Sequence, residues 1–115
     1  MSTHNHIDYI EFPCTDFDAM KAFYGAAFGW TFQDWGPTYV AFEGAGLEGG
    51  FRKEDTAPPR GGAMVILYST DLDASQASVE AAGGETTSHH EFPGGRRFQF
   101  LDPTGNELAV WIKAE

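Results

Sequence analysis

Apolar residues recur at three- and four-residue steps over two stretches of the chain. In the first, Met20, Phe23, Tyr24, Ala27 and Phe28 share one side of a helix, so the spacing predicts a helix from about Phe17 to Phe28 that Gly29 ends. In the second, Leu72, Val79 and Ala82, with the small polar Ser75 on the same inner face, predict a helix from about Leu72 to Ala82, stopped by Gly83-Gly84. Both open after the same phrase, Thr15-Asp16-Phe17-Asp18-Ala19 and, 55 residues later, Thr70-Asp71-Leu72-Asp73-Ala74. Thr-x-x-Asp is a capping pattern whose side chains satisfy free N–H groups of the first turn.

Short runs rich in β-branched and aromatic residues surround the helices and predict strands. Ile7–Phe12 precedes the first helix and Met64–Tyr68 the second. After the first helix come Trp30–Asp34, Tyr39–Phe42 and Leu47–Arg52; after the second come Glu85–Ser88, Arg97–Leu101 and Glu107–Lys113, with Gly- and Pro-containing turns between them. The order is βαβββ twice, an α+β chain with an internal repeat. Module one covers about residues 6–52, a polar linker 53–62 follows, and module two covers about 63–113, within one domain spanning 1–115. Aligning Gly44-Ala45-Gly46-Leu47-Glu48 with Gly105-Asn106-Glu107-Leu108-Ala109 sets Glu48 opposite Ala109.

Composition narrows the function. At 115 residues, 42% hydrophobic and 15% aromatic, the chain has the make-up of one packed domain rather than a disordered one. A net charge of −10 with only seven Lys and Arg argues against nucleic-acid binding. No apolar run approaches the roughly 20 residues of a membrane span, and the start lacks a signal-peptide pattern, so the expected location is cytoplasmic, away from membranes. The lone Cys14 has no partner for a disulfide and no neighbouring base, and reads as a small strand-end residue.

Two stretches together, Asp16 through Phe23-Tyr24 to Phe28-Gly29-Trp30 and Phe100-Leu101-Asp102-Pro103-Thr104-Gly105-Asn106, make the chain resemble the vicinal-oxygen-chelate superfamily of glyoxalases, bleomycin-resistance proteins and extradiol dioxygenases. The resemblance implies cup-shaped mixed sheets with helices on the convex side, a ligand cavity on the concave side, and a homodimer. Enzymes of that superfamily bind one divalent metal through four concave positions, which correspond here to Tyr9, Met64, Glu48 and Ala109. A thioether, a methyl group, a neutral phenol and one carboxylate make a poor set for such an ion, so no metal and no cofactor are expected.

Strand alternation extends the wall of the expected cup. With Tyr9 go Ile7 and Glu11; with Met64 go Ile66 and Tyr68; with Ala109 go Glu107 and Trp111. The expected ligand-binding set is therefore Tyr9, Glu11, Glu48, Met64, Ile66, Tyr68, Glu107 and Trp111, aromatic and acidic, suited to a cationic or aromatic small molecule; the same aromatics also serve as ordinary core filling. Glu11, Glu48 and Glu107 form a candidate carboxylate group, with Glu48, Glu11 and Tyr9 the candidates for acid–base work. His4 and His6 read as exposed and idle, and His89-His90-Glu91 as a polar edge.

The leading expectation is a metal-independent small-molecule-binding protein of the bleomycin-resistance kind. The alternative is a metal-dependent lyase, isomerase or dioxygenase-like enzyme with a rearranged ligand set such as Glu48, Glu11 and a histidine. A third is a metal-free enzyme working by acid–base chemistry.

Overall fold

The structure is a computed structural model that describes residues 2–115. Ten elements follow one another as β1 (Tyr9–Cys14), α1 (Phe17–Phe28), β2 (Thr31–Asp34), β3 (Tyr39–Glu43), β4 (Glu48–Lys53), β5 (Val65–Tyr68), α2 (Leu72–Ala81), β6 (Glu85–Phe92), β7 (Gly95–Leu101) and β8 (Glu107–Lys113). They form two four-stranded mixed sheets of identical topology, β1-β4-β3-β2 and β5-β8-β7-β6. In each, the outer strand before the helix pairs in parallel with the last strand of its module, and the other pairings are antiparallel. The βαβββ repeat is thus realised twice.

The shared phrase caps both helices in the same way. Asp16 and Asp71 sit in extended conformation and each accepts a hydrogen bond from the N–H three residues on, at 3.1 Å in both cases. Gly29 ends α1 in the left-handed region at φ 76°, where a Cβ would be strained. Strand limits differ from expectation at two places that matter. β1 begins at Tyr9 rather than Ile7, which is exposed ahead of it, and β6 runs on to Phe92, so His89, His90 and Glu91 lie within a strand.

Alternation divides each sheet into a helix-covered face and an open one. Phe12, Val40, Phe42 and Phe51 of the first sheet and Phe98, Phe100, Leu108 and Val110 of the second are buried on the covered faces. Helix α1 serves both sheets: Tyr24 stacks on Trp30 at 4.6 Å and lies 5.6 Å from Phe51, while Phe23 and Phe28 lie 5.8 and 5.9 Å from Phe100. Each such aromatic contributes about 1.5–3 kcal/mol through burial. Polar contacts also join the modules at the Asp102–Asn106 turn. Tyr24 donates to Asp102 Oδ2 at 2.8 Å, Asn106 Nδ2 donates to the Pro13 carbonyl at 3.0 Å, and Thr15 N–H donates to Thr104 Oγ1 at 3.1 Å.

Candidate functional site

On the open face of the first sheet, Tyr9 stands directly across from Glu48, and Glu11 across from Gly50. Gly50 is needed there. A Cβ at that position would collide with the phenol of Tyr39, which crosses the glycine to share a short hydrogen bond with Tyr9. Burial, helped by the Tyr9 contact, pushes the Tyr39 phenol well above its ordinary pKa. Glu11 shares an arginine: Arg52 lies 3.6 Å from its carboxylate and 3.0 Å from that of Glu54. Glu48 is exposed and has no ion pair among the described residues.

The open face of the second sheet carries Ile66, Tyr68, Ala109, Trp111, Gln99 and Glu107. Tyr68 meets Trp111 edge-on at 5.1 Å, and Phe92 approaches the same indole at 6.3 Å. Glu107 Oε2 accepts from Arg60 at 2.8 Å, Thr87 at 2.8 Å and Gln99 at 3.3 Å. These donors, the Arg60 guanidinium first, hold its carboxyl below the usual pKa. Arg60 reaches it from the segment between β4 and β5, and Thr87 reaches it because the β6 register slips between Thr86 and Ser88.

The expected site residues therefore fall into two groups. Tyr9, Glu11 and Glu48 share the first open face; Ile66, Tyr68, Glu107 and Trp111 share the second; Met64 lies just outside β5, half-buried, in a cleft of about 240 Å³ with Arg60 and Glu107. The expected carboxylate group of Glu11, Glu48 and Glu107 is not assembled. Arg52 and Arg60 hold two of its members, and no three His, Cys, Asp or Glu side chains converge to hold a metal among the described residues. The register revises the alignment of the two modules: Ala109 pairs with Ile66, whose counterpart 55 residues earlier is Glu11, and Glu11 pairs with Gly50, so Gly50 rather than Glu48 matches Ala109. That shift of two keeps the face. Tyr9, Met64, Ala109 and either Glu48 or Gly50 offer a phenol, a thioether and at most one carboxylate, a set that does not fit a divalent ion.

The largest cavity, about 480 Å³, lies at the β5 edge. Its wall is Ile10, Phe12, Phe28, Trp30, Phe42 and Leu47 from the first module, closed on the other side by Val65 to Tyr68. Ile66 and Tyr68 thus belong both to this cavity and to the second open face. No charged side chain lines it. Cys14 is fully buried, and burial pushes its thiol up, which makes it a packing residue rather than a nucleophile. No residue pattern marks Arg52, Arg60, Thr87 or Gln99. The sequence puts Tyr39, with Trp35, beside the Gly36-Pro37 turn as a rim candidate, without a sign of which face it takes.

Two mixed βαβββ sheets with open aromatic faces define the vicinal-oxygen-chelate class of protein. Within it, the chain belongs to the glyoxalase-like domain family, whose model matches residues 8–111. A glyoxalase/bleomycin resistance protein/dioxygenase family enzyme from Burkholderia phytofirmans superposes with a TM-score of 0.79 at 17% identity, covering 93% of this chain and 98% of that one. A glyoxalase/bleomycin resistance protein/dioxygenase from Nocardioides gives 0.77 at 20% identity, with 100% and 87% covered. A lactoylglutathione lyase from Agrobacterium tumefaciens gives 0.72 at 22%, with 96% of each chain covered. At these identities the likeness is one of fold. No curated protein matches the sequence.

Proposed function

We propose that the chain binds a small aromatic molecule without a catalytic metal. The observation that carries this reading is the 480 Å³ cavity, within the usual size for small-ligand sites, whose wall is aromatic and aliphatic and includes Ile66 and Tyr68. The chemistry of the donors supports the metal-independent part, since Tyr9 is engaged by Tyr39 and Glu107 by Arg60. No charged side chain lines this cavity, which favours an aromatic ligand over one chosen for positive charge. Calorimetric titration with bicyclic aromatic compounds in the presence of EDTA tests the reading. Saturable binding unaffected by EDTA is expected; binding that EDTA abolishes defeats it.

Exposed apolar side chains away from that cavity support a homodimer. Ile7 and Trp35 are 81 and 66% exposed, large apolar groups that a second copy would cover. Sedimentation of a dimer at micromolar concentration is the expected result, and a monomer there removes it.

One observation favours the metal-dependent reading: His6 and Glu48 line the same recess, with Asp8 beside them. Glu11, the third member expected of that set, faces Arg52 instead. Thermal-shift titration with divalent metal ions separates the two readings.

A further inference from the structure

The chain has four arginines among seventeen acidic residues. Arg52, Arg60 and Arg96 each meet a carboxylate. Arg97 meets none among the described residues, and its Nε is shut off from solvent without a hydrogen-bond partner. In so acidic a protein, an arginine that forgoes an internal carboxylate has its charge available for something else, and an unmade hydrogen bond at a buried guanidinium nitrogen carries a cost.

Its place in the sheet gives the charge a setting. Tyr68 pairs with Trp111, Trp111 with Arg97, and Arg97 with His90, so four side chains stand in one rank across β5, β8, β7 and β6. Alternation puts that rank on the open face, opposite to buried Phe98 and Val110. Cβ atoms of neighbours in such a rank are about 5 Å apart, which sets those of Arg97 and Tyr68 roughly 10 Å apart, with Trp111 between them. At its Tyr68 end the rank borders the 480 Å³ cavity. No acidic residue stands in it.

We propose that this rank binds an aromatic carboxylate, its ring against Trp111 and Tyr68 and its carboxylate on the Arg97 guanidinium. A planar carboxylate matches the guanidinium fork, and the indole supplies a face for the ring. The proposal rests on the small-molecule reading above and adds the charge of the ligand, opposite to the cation that composition alone suggests.

Calorimetry with three probes of one shape tests it: 2-naphthoate, 2-naphthamide and 2-naphthylmethylammonium. The expected order is naphthoate tightest, by about tenfold or more over the amide, and the ammonium weakest. R97Q brings naphthoate down to the affinity of the amide and leaves the amide unchanged, while R97K recovers part of the difference. An unchanged thermal midpoint for R97Q shows that folding is intact. Equal affinity for naphthoate and amide, or a preference that survives in R97Q, overturns the role of Arg97 and leaves small-molecule binding standing. If none of the three binds, both fall. If R97Q instead dissociates a dimer with naphthoate affinity unchanged, the guanidinium serves a carboxylate of a second copy, and the ligand proposal is overturned.

Discussion

The phenol of Tyr24 on α1 donates to Oδ2 of Asp102 across 2.8 Å, tying the first module's helix to the turn that opens the second module's last strand. The same carboxylate accepts the backbone N–H groups of Thr104, Gly105 and Asn106 and the side-chain amide of Asn106. Burial, the largest influence, raises its pKa, and the donors pull the other way. Tyr24→Phe keeps the ring stack on Trp30 and removes one donor, which costs about 1–3 kcal/mol. Asp102→Ala orphans all the donors and costs more, about 3 kcal/mol or above. Urea unfolding of the two variants should rank them in that order.

Two adjacent glycines in β4 separate backbone from side-chain constraint. A Cβ at Gly49 meets the carbonyl oxygen of Ile10 and the ring of Phe42, whereas at Gly50 the three atoms nearest to it all belong to the Tyr39 phenol. A β-strand backbone cannot step aside, but a phenol can swing away. Gly49→Ala should therefore destabilise by about 2 kcal/mol or more, and Gly50→Ala by less, while breaking the Tyr9–Tyr39 contact. Thermal midpoints of the pair check the difference.

How far this was legible in the sequence follows from what each feature depends on. The helices and their caps are local, so Asp16, Asp71 and Gly29 announced them, and the 55-residue repeat gave the module order. Facing was also legible wherever one strand residue was anchored, which is why Tyr9 with Glu11 and Tyr68 with Trp111 fall as expected. What stayed hidden depends on contacts distant in sequence. Arg60 reaches Glu107 from a segment without regular structure, and Thr87 does so through a register slip that no residue pattern marks. Those contacts, with Arg52 on Glu11, are what disperse the carboxylate group that alternation alone would assemble.

Glu107 gives a pH dependence with a definite sign. Arg60, Thr87 and Gln99 lower its pKa in the folded protein below the ordinary 4.5, so the folded state binds fewer protons than the unfolded one over that interval. Its contribution is present above pH 4.5 and is lost as pH falls through the lowered value. Glu107→Gln should flatten this acid limb of the stability–pH curve. An acid limb identical in wild type and E107Q would mean that the contact with Arg60 adds nothing.

The phenols titrate with the opposite sign. Burial, with the neighbouring Asp102 adding to it, pushes Tyr24 well above 10, and burial with the Tyr9 hydrogen bond raises Tyr39 as well. Two of the four tyrosines should therefore resist ionisation beyond pH 10 in an ultraviolet titration, with stability falling as each is finally forced to ionise. Tyr39→Phe should remove one of these two late steps and leave the other.

Elemental analysis of the purified, untagged protein, joined to thermal-shift titration with Zn, Ni, Mn and Fe(II), asks whether this glyoxalase-like chain works without a bound metal. Substoichiometric metal and no saturable shift with any of the four is the expected result. Near-stoichiometric metal, or several degrees of saturable stabilisation by one ion, would contradict it and put His6 and Glu48 at the centre of a metal site instead.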